Sequence, residues 1–242
     1  MLQAVTFDFW KTLYQDISAQ DERLRLLEEA LDRHSQTRPW TELEAAYRHS
    51  MSVLDHIWRE EHSFITVEHW LREMLVFLEA ELPEDALLGL RQPLEEIYLS
   101  SSDPRPVPGV TEVLPRLAQH YRLGIISDVG LTPGWVLRKV LERDGLLTYF
   151  RVQTFSDEVE AAKPLPKPFL HTLNVLEARP DQAAHIGDLP ETDMAGARGV
   201  GMKAILFLGV SNRQDGKSLA DAFFEEYGEL EALLYRLNET DS

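Results

Sequence analysis

Hydrophobic positions follow two different rhythms along this chain. From Ala4 to Phe7 they form a short run, β-branched and aromatic with no helical period, which predicts a buried strand. From about Ser18 to Leu99 the period becomes helical. Leu24, Leu27 and Leu31, then Leu43, Tyr47, Met51, Leu54 and Trp58, recur at three- and four-residue steps. A third helix is expected from Val67 through Trp70, Leu71, Met74, Leu75 and Leu78. A fourth follows Pro83-Glu84-Asp85, whose carboxylates suit a helix start, and ends near Ser100. So long a helical stretch without a strand predicts a separate all-helical unit inserted after the first strand.

Ser101 to Gly109 holds three prolines and reads as the connector that returns the chain. Strands and helices then alternate. Strands are expected at Arg122–Ser127, Phe150–Phe155, Ala184–Ile186 and Lys203–Phe207. Helices are expected at Val110–Gln119, Trp135–Glu142, Lys167–Ala178 and Ala195–Gly199, then a loop over Gly209–Lys217 and a last helix from Leu219 to Leu237. Such alternation predicts an α/β fold, a parallel sheet with helices on both faces. The α/β part is expected to hold residues 1–14 and 103–242, and the helical unit residues 15–102.

Composition narrows the function without naming it. A net charge of −17 argues against a nucleic-acid surface or a patch for anionic membranes, both of which need clustered Lys and Arg. With no cysteine, disulfides, thiolate metal sites and cysteine nucleophiles are excluded. No apolar run reaches the ~20 residues of a membrane span and the N-terminus lacks a signal pattern, so a cytoplasmic protein is expected. Five of the eight histidines (His34, His49, His56, His62, His69) fall in the helical unit, but no two stand i, i+4 on one helix as a metal pair would. The apolar positions of the last helix, from Phe223 to Leu234, read as core-facing rather than as a dimer patch. Nothing in the chain sets an oligomeric state.

The chemistry gathers where strands end. The first strand delivers Asp8 and, four residues on, Thr12. The second delivers Ser127 and Asp128; Lys163 follows the third, and Gly187-Asp188 with Asp193 follow the fourth. Each alone is an ordinary turn, cap or surface residue. In a parallel sheet they converge on one edge, where such folds bind ligands. An ionised Asp8 there can attack phosphorus and carry the group as an aspartyl phosphate. Carboxylate and phosphate repel, so a cation must lie between them. Asp8 and Asp188, with a main-chain carbonyl, offer the hard oxygen ligands that Mg²⁺ prefers. Asp193 is placed either to hold a metal-bound water or to orient Lys163. Lys163 offsets the crowded carboxylates and can touch Asp8 and the phosphate, while Thr12 and Ser127 offer hydroxyl donors to its equatorial oxygens.

The order Asp8…Thr12-Leu13, Ser127, Lys163-Pro164, Gly187-Asp188…Asp193, trailed by Gly196-Ala197…Gly199…Gly201-Met202, resembles the haloacid dehalogenase (HAD) superfamily of hydrolases. The resemblance covers the whole α/β part, and the helical insertion looks like the C1-type cap of subfamily I. It implies a Rossmann-like core, Asp8 as nucleophile, Mg²⁺ held by Asp8, Asp188 and the carbonyl of Trp10 with Asp193 supporting it, and a cap closing over a small phosphorylated substrate. Among cap-side candidates, Tyr14, Trp58 and Arg48 carry helical spacing that fits packing or solvated roles better than substrate contact.

Three positions depart from the pattern. Trp10 stands where phosphatases of the superfamily carry a second Asp, the general acid and base. Indole cannot do that work, and a positioned acid contributes about 10²–10⁴-fold. An alkyl phosphate needs that proton; an acyl phosphate, aryl phosphate or phosphoanhydride does not. Dehalogenases of the superfamily also lack this Asp, but they lack the acidic pair Asp188 and Asp193 too, which favours metal-dependent phosphoryl chemistry here. Lys11 replaces the usual Gly and Asp128 the usual Asn. The extra charge of Asp128 near the phosphate, which Lys11 is a candidate to offset, fits a third reading, a catalytically weak protein that binds a phosphorylated ligand.

Overall fold

The computed structural model describes residues 1–100 and 103–240; Ser101 and Ser102 of the expected connector, with the 102/103 boundary, lie outside them. Six parallel strands run β1 (Ala4–Phe7), β2 (Arg122–Ser127), β3 (Phe150–Phe155), β4 (Ala183–Gly187), β5 (Lys203–Phe207) and β6 (Ala222–Phe224), in the order β3-β2-β1-β4-β5-β6. β1 therefore lies centrally, with β2 on one side and β4 on the other, and the winding direction reverses between β1 and β4. That reversal leaves a crevice at the carboxyl ends of the strands, where Asp8 and Asp188 emerge.

Alternation along the strands explains the two apolar layers. Val5, Phe7, Ile125, Ile205 and Phe207 point to one face, where they meet α5 (Val110–Leu117), α6 (Gly134–Arg143) and α10 (Leu230–Thr240). Ala4, Ile126, Ala204 and Leu206 point to the other, against α8 (Pro166–Val175) and α9 (Ala195–Val200). One-turn α7 (Ser156–Val159) follows β3.

Between β1 and α5 the chain forms α1 (Gln20–Arg33), α2 (Trp40–Glu61), α3 (Val67–Phe77) and α4 (Glu84–Glu95), the last closing with a tighter turn at Glu96–Leu99. Thr66 caps α3, its hydroxyl accepting from the His69 N–H at 3.4 Å. The helical apolar positions form a cluster of their own, around Leu27, Leu43, Leu54, Trp70, Met74 and Leu94, which the α/β part joins through Leu131. The two chain crossings into this unit are stitched together. Gln15 N–H donates to the Arg105 carbonyl at 2.9 Å, and Val107 N–H to that of Leu13 at 2.9 Å.

One expectation needs correcting. The helix expected from Leu219 begins only at Leu230, and the stretch before it supplies β6 and a short turn at Tyr227–Glu229. The three- and four-residue spacing of Phe223, Phe224, Tyr227 and Leu230 imitates a helix. In fact Phe224 faces inward from the edge strand onto Phe207, ring centres 5.0 Å apart, while Phe223 is exposed. A three-residue strand is too short to show a period of two.

Candidate active site

Asp8 is fixed by the sheet itself, its N–H donating to the Ile186 carbonyl of β4 at 2.8 Å. The chain then folds into a tight loop in which Leu13 and Tyr14 N–H both donate to the Phe9 carbonyl at 2.9 Å. Lys11 sits in that loop with φ of 57°, left-handed backbone that explains the usefulness of Gly there. Tyr227 pins the loop from below, its hydroxyl donating to the Thr12 carbonyl at 2.8 Å.

After β4 a single wide helical turn, Pro190–Met194, brings Asp193 back over the strand end. Asp193 N–H donates to the Leu189 carbonyl at 2.9 Å, and Asp193 Oδ2 accepts from the Leu189 N–H at 3.0 Å. This return needs a glycine at 187, because a Cβ there would lie 2.2 Å from Asp193 Cγ.

Four charged side chains thus converge. Lys163 Nζ donates to Asp8 Oδ1 at 2.7 Å and to Asp193 Oδ1 at 2.6 Å, all three buried. Ligand oxygens of Asp8, Asp188 and Asp193 lie within 4.8 Å of one another. Burial works against the charge on Lys163, but Asp193, Asp8 and Asp128 outweigh it and hold the ammonium above its ordinary range. Burial is likewise overcome at Asp193, which Lys163 and His185 keep well below the usual carboxylate range. Burial raises Asp8 despite Lys163 and the neighbouring Ser127 hydroxyl. Asp188 is pushed up to about 7 by burial and by the charges of Asp8 and Asp193.

Three buried carboxylates against one ammonium make a cluster short of positive charge, and a raised Asp188 is its sign. All the donors are hard oxygens, so the residues fit a divalent cation such as Mg²⁺. Both Asp193 oxygens already accept bonds from Lys163, His185 and Leu189. Of the two roles open to it, orienting Lys163 is the one this geometry displays. One Asp188 oxygen accepts from Ser211.

The remaining expected residues divide. Ser127 is buried beside Asp8 and does not itself line the cavity. Asp128 borders the cavity, where Oδ1 accepts from the Lys163 N–H at 2.9 Å and Oδ2 from Trp58 Nε1–H at 3.0 Å. Lys11 is turned to Asp16 at 3.4 Å, so it is not the offset to Asp128. Thr12 is enclosed, with no exposure and no partner for its hydroxyl, and does not line the cavity. Trp10 does line it, its ring 5.8 Å from that of Tyr98. Of the cap-side candidates, Trp58 reaches the cavity, whereas Arg48 is exposed and Tyr14 is buried with its hydroxyl on Asp144 Oδ2 at 2.9 Å.

Sequence reasoning missed His185 and Ser211. His185 is fully buried, Nε2 3.1 Å from Asp193 Oδ1 and Nδ1 2.9 Å from the hydroxyl of Thr6, its register partner on β1. An Nε2–H tautomer satisfies both contacts, donating to Asp193 and accepting from Thr6. A histidine inside an otherwise apolar strand, two residues before Gly187, was the available signal. Ser211 lies in an irregular loop and offered none.

The cavity over this cluster measures about 690 Å³. Asp8, Asp128, Lys163 and Asp188 line it from the sheet side, and α1 and α2 contribute Arg23, Tyr47, Met51 and Trp58.

An open parallel sheet with a buried lysine and an acidic cluster at its switch point is the setting of a class of hydrolase. The haloacid dehalogenase-like hydrolase model matches residues 2–201, and the chain belongs to that family. The glyceraldehyde 3-phosphate phosphatase of Pyrococcus furiosus is 31% identical over 141 residues, 57% of this chain and 58% of that protein. The chain thus spans little over half the length of this curated relative. A HAD phosphatase from Thermococcus onnurineus superposes with a TM-score of 0.65 at 25% identity, covering 96% of this chain and 98% of the other. A 2-haloacid dehalogenase from Pseudomonas syringae superposes with a TM-score of 0.72 at 25% identity, over 98% of this chain and all (100%) of that one.

Proposed function

We propose that this chain is a Mg²⁺-dependent phosphohydrolase that cleaves a small phosphorylated metabolite with a good leaving group. One observation carries the reading. Lys163 bridges Asp8 and Asp193 at 2.7 and 2.6 Å while Asp188 completes a cluster of three buried carboxylates. A nucleophilic carboxylate that displaced halide from carbon has no use for so much added negative charge; one that attacks phosphorus beside a divalent cation does. The phosphatase relative supports the same reading.

Asp8, Asp188 and the main-chain carbonyl of Trp10 would hold the metal, with Asp193 in support. When bound, Mg²⁺ supplies the positive charge that lets an anionic carboxylate approach an anionic phosphoryl group. Lys163 holds the phosphoryl oxygens, with the enclosed hydroxyls of Ser127 and Thr12 as the further donors. An Asp8 oxygen forms a bond to phosphorus as the bond to the leaving-group oxygen breaks, giving an aspartyl phosphate. Water then attacks phosphorus, the Asp8–phosphorus bond breaks, and both water protons leave with inorganic phosphate. With indole at position 10 no side chain stands at the usual place to protonate the leaving group, so acyl and aryl phosphates react and alkyl phosphates react poorly. The inserted helices act as a cap that excludes water.

The test is phosphate release from acetyl phosphate and phenyl phosphate, with Mg²⁺ or EDTA, for the wild type and Asp8→Asn. Metal-dependent release that falls at least about 10³-fold in the variant is expected. Halide release from 2-chloropropionate that persists in EDTA, with no phosphate release, overturns the reading in favour of a dehalogenase.

A further inference from the structure

Four cationic side chains line the cavity, and three have carboxylate partners. Lys163 has Asp8 and Asp193, Arg59 has Asp55 and Glu191 at 2.9 Å each, and Lys11 has Asp16 at 3.4 Å. The fourth is Arg23, in the first turn of α1. It is only 6% exposed, yet among the described residues no carboxylate lies within 4.0 Å of it. Its Nε is buried with no partner. One terminal nitrogen donates over a long 3.4 Å to Thr132 Oγ1, and the guanidinium carbon stands 5.7 Å from the centre of the Tyr98 ring, whose hydroxyl donates to the Ile17 carbonyl.

A guanidinium is not retained in that state without a reason. Burying a charge is costly unless a counter-charge compensates, and among the described residues no carboxylate stands within ion-pair distance of this one. The planar fork of Arg matches a carboxylate or phosphate with paired N–H donors. The surroundings discriminate between the two. Arg23 is a single cation helped only by neutral hydroxyls, in a cavity that already holds Asp16, Asp55 and Asp128. One charge is answered there; two are not.

We propose that Arg23, with Thr132 and Tyr98 beside it, binds a carboxylate on the same substrate whose phosphoryl group Asp8 attacks. The substrate class is then a compact phosphorylated carboxylic acid, gripped at the phosphoryl end by the sheet and at the carboxylate end by α1. This rests on the phosphohydrolase reading for one end of the substrate, but the Arg23 contact stands or falls separately.

The test is calorimetric titration of the full chain in Mg²⁺ buffer with a short homologous series of ω-phosphonocarboxylates. Matched alkylphosphonates, bisphosphonates and plain carboxylates serve as comparison ligands. In the wild type, the best ω-phosphonocarboxylate is expected to bind at least about tenfold more tightly than its alkylphosphonate, roughly 1.4 kcal/mol. In Arg23→Gln that ratio falls to near one, and in Arg23→Lys it is intermediate. Thr132→Val gives a second route should Arg23→Gln fold poorly, and lowers the ratio about two- to threefold by loosening the guanidinium. A wild-type ratio near one, a ratio unchanged in Arg23→Gln, or tighter Arg23-dependent binding of a bisphosphonate overturns the proposal. Failure of every phosphonate to bind, together with Arg23-dependent binding of plain carboxylates, upholds the Arg23 site and sinks the phosphohydrolase reading instead.

Discussion

The two walls of the cavity are built on different terms. On the sheet wall the charges are largely paired from within, Lys163 with Asp8 and Asp193, and Asp193 also with His185 and a main-chain N–H, while Asp188 has only the neutral Ser211 hydroxyl. On the helical wall Arg23 is buried and unanswered. The sheet wall is fixed by strand register, since Asp8 and Asp188 each follow a strand of the same parallel pair. The helical wall touches it through few polar contacts. Among the described residues they include Trp58 to Asp128 at 3.0 Å, Arg59 to Glu191 at 2.9 Å, Arg23 to Thr132 at 3.4 Å, and the Ala162 N–H to the His62 carbonyl at 3.3 Å. On the proposed reading the difference divides the work: the sheet wall, fixed by strand register, carries the chemistry, and the helical wall with its open charge carries the recognition.

The largest expected effect comes from opening the closed wall. Lys163→Met leaves three buried carboxylates without their ammonium, and removing one partner of a buried ion pair typically costs about 3–5 kcal/mol. Urea unfolding of the metal-free variant is expected to show that loss, with turnover abolished. A drop below about 1 kcal/mol contradicts the picture of a strongly coupled cluster.

The contact between the walls is sharpened by Asp128→Asn. Mainly through burial, against the opposing pull of Lys163, Asp128 titrates at about 6 rather than at its ordinary 3.8. Trp58 also favours its charged form, and Asp8 disfavours it. Between those two pH values the folded chain binds the proton that the unfolded chain has released. The contribution of Asp128 to stability is therefore present below pH 4 and lost as pH rises through 6, by about 2–3 kcal/mol. Asn lacks this titration, so wild-type stability relative to Asp128→Asn should fall by that amount from pH 4 to 7 in urea unfolding series. A difference that does not change with pH rules the assignment out. Asn also cannot accept both the Trp58 and Lys163 N–H bonds, one per oxygen, which gives a physical use for Asp at this position.

Smaller effects probe the loop that joins the walls. Trp10→Asp introduces a carboxyl on the cavity lining, and alkyl phosphate hydrolysis is expected to rise about tenfold, part of what a positioned acid provides, with acyl phosphate turnover little changed. Equal gains on both substrates would point to altered access rather than proton donation. Lys11→Gly relieves a left-handed residue at φ 57° and gives up only a half-exposed ion pair, so it should stabilise the chain by about 0.5–1 kcal/mol in thermal unfolding.

The same contrast explains what could be read from the chain before its structure. Five strands were legible because buried parallel strands are apolar runs that carry their own punctuation, and Asp8, Ser127 and Asp188 stood out because each stands where such a run stops, whereas Lys163 comes eight residues after β3, beyond the turn Ser156–Val159. β6 was not, since three residues cannot display a period and its aromatic neighbours imitate a helix. His185 was hidden by its strand: its role depends on Asp193 returning over Gly187, a consequence of the wide turn at Pro190–Met194. Arg23 was invisible for a different reason. Its spacing marks it as one more polar residue near a helix start, and only packing shows that it is buried and that no carboxylate reaches it. Thr12 and Ser127 are motif residues that the structure encloses rather than sets on the cavity lining.

The most direct test of the central claim, that the sheet wall performs covalent phosphoryl chemistry, is acid-quenched mass spectrometry of the chain caught during acetyl phosphate turnover in Mg²⁺. The account predicts one added phosphoryl group on the peptide containing Asp8, absent in EDTA and in Asp8→Asn. Phosphate release with no such adduct at any quench time, and with turnover intact in Asp8→Asn, contradicts it.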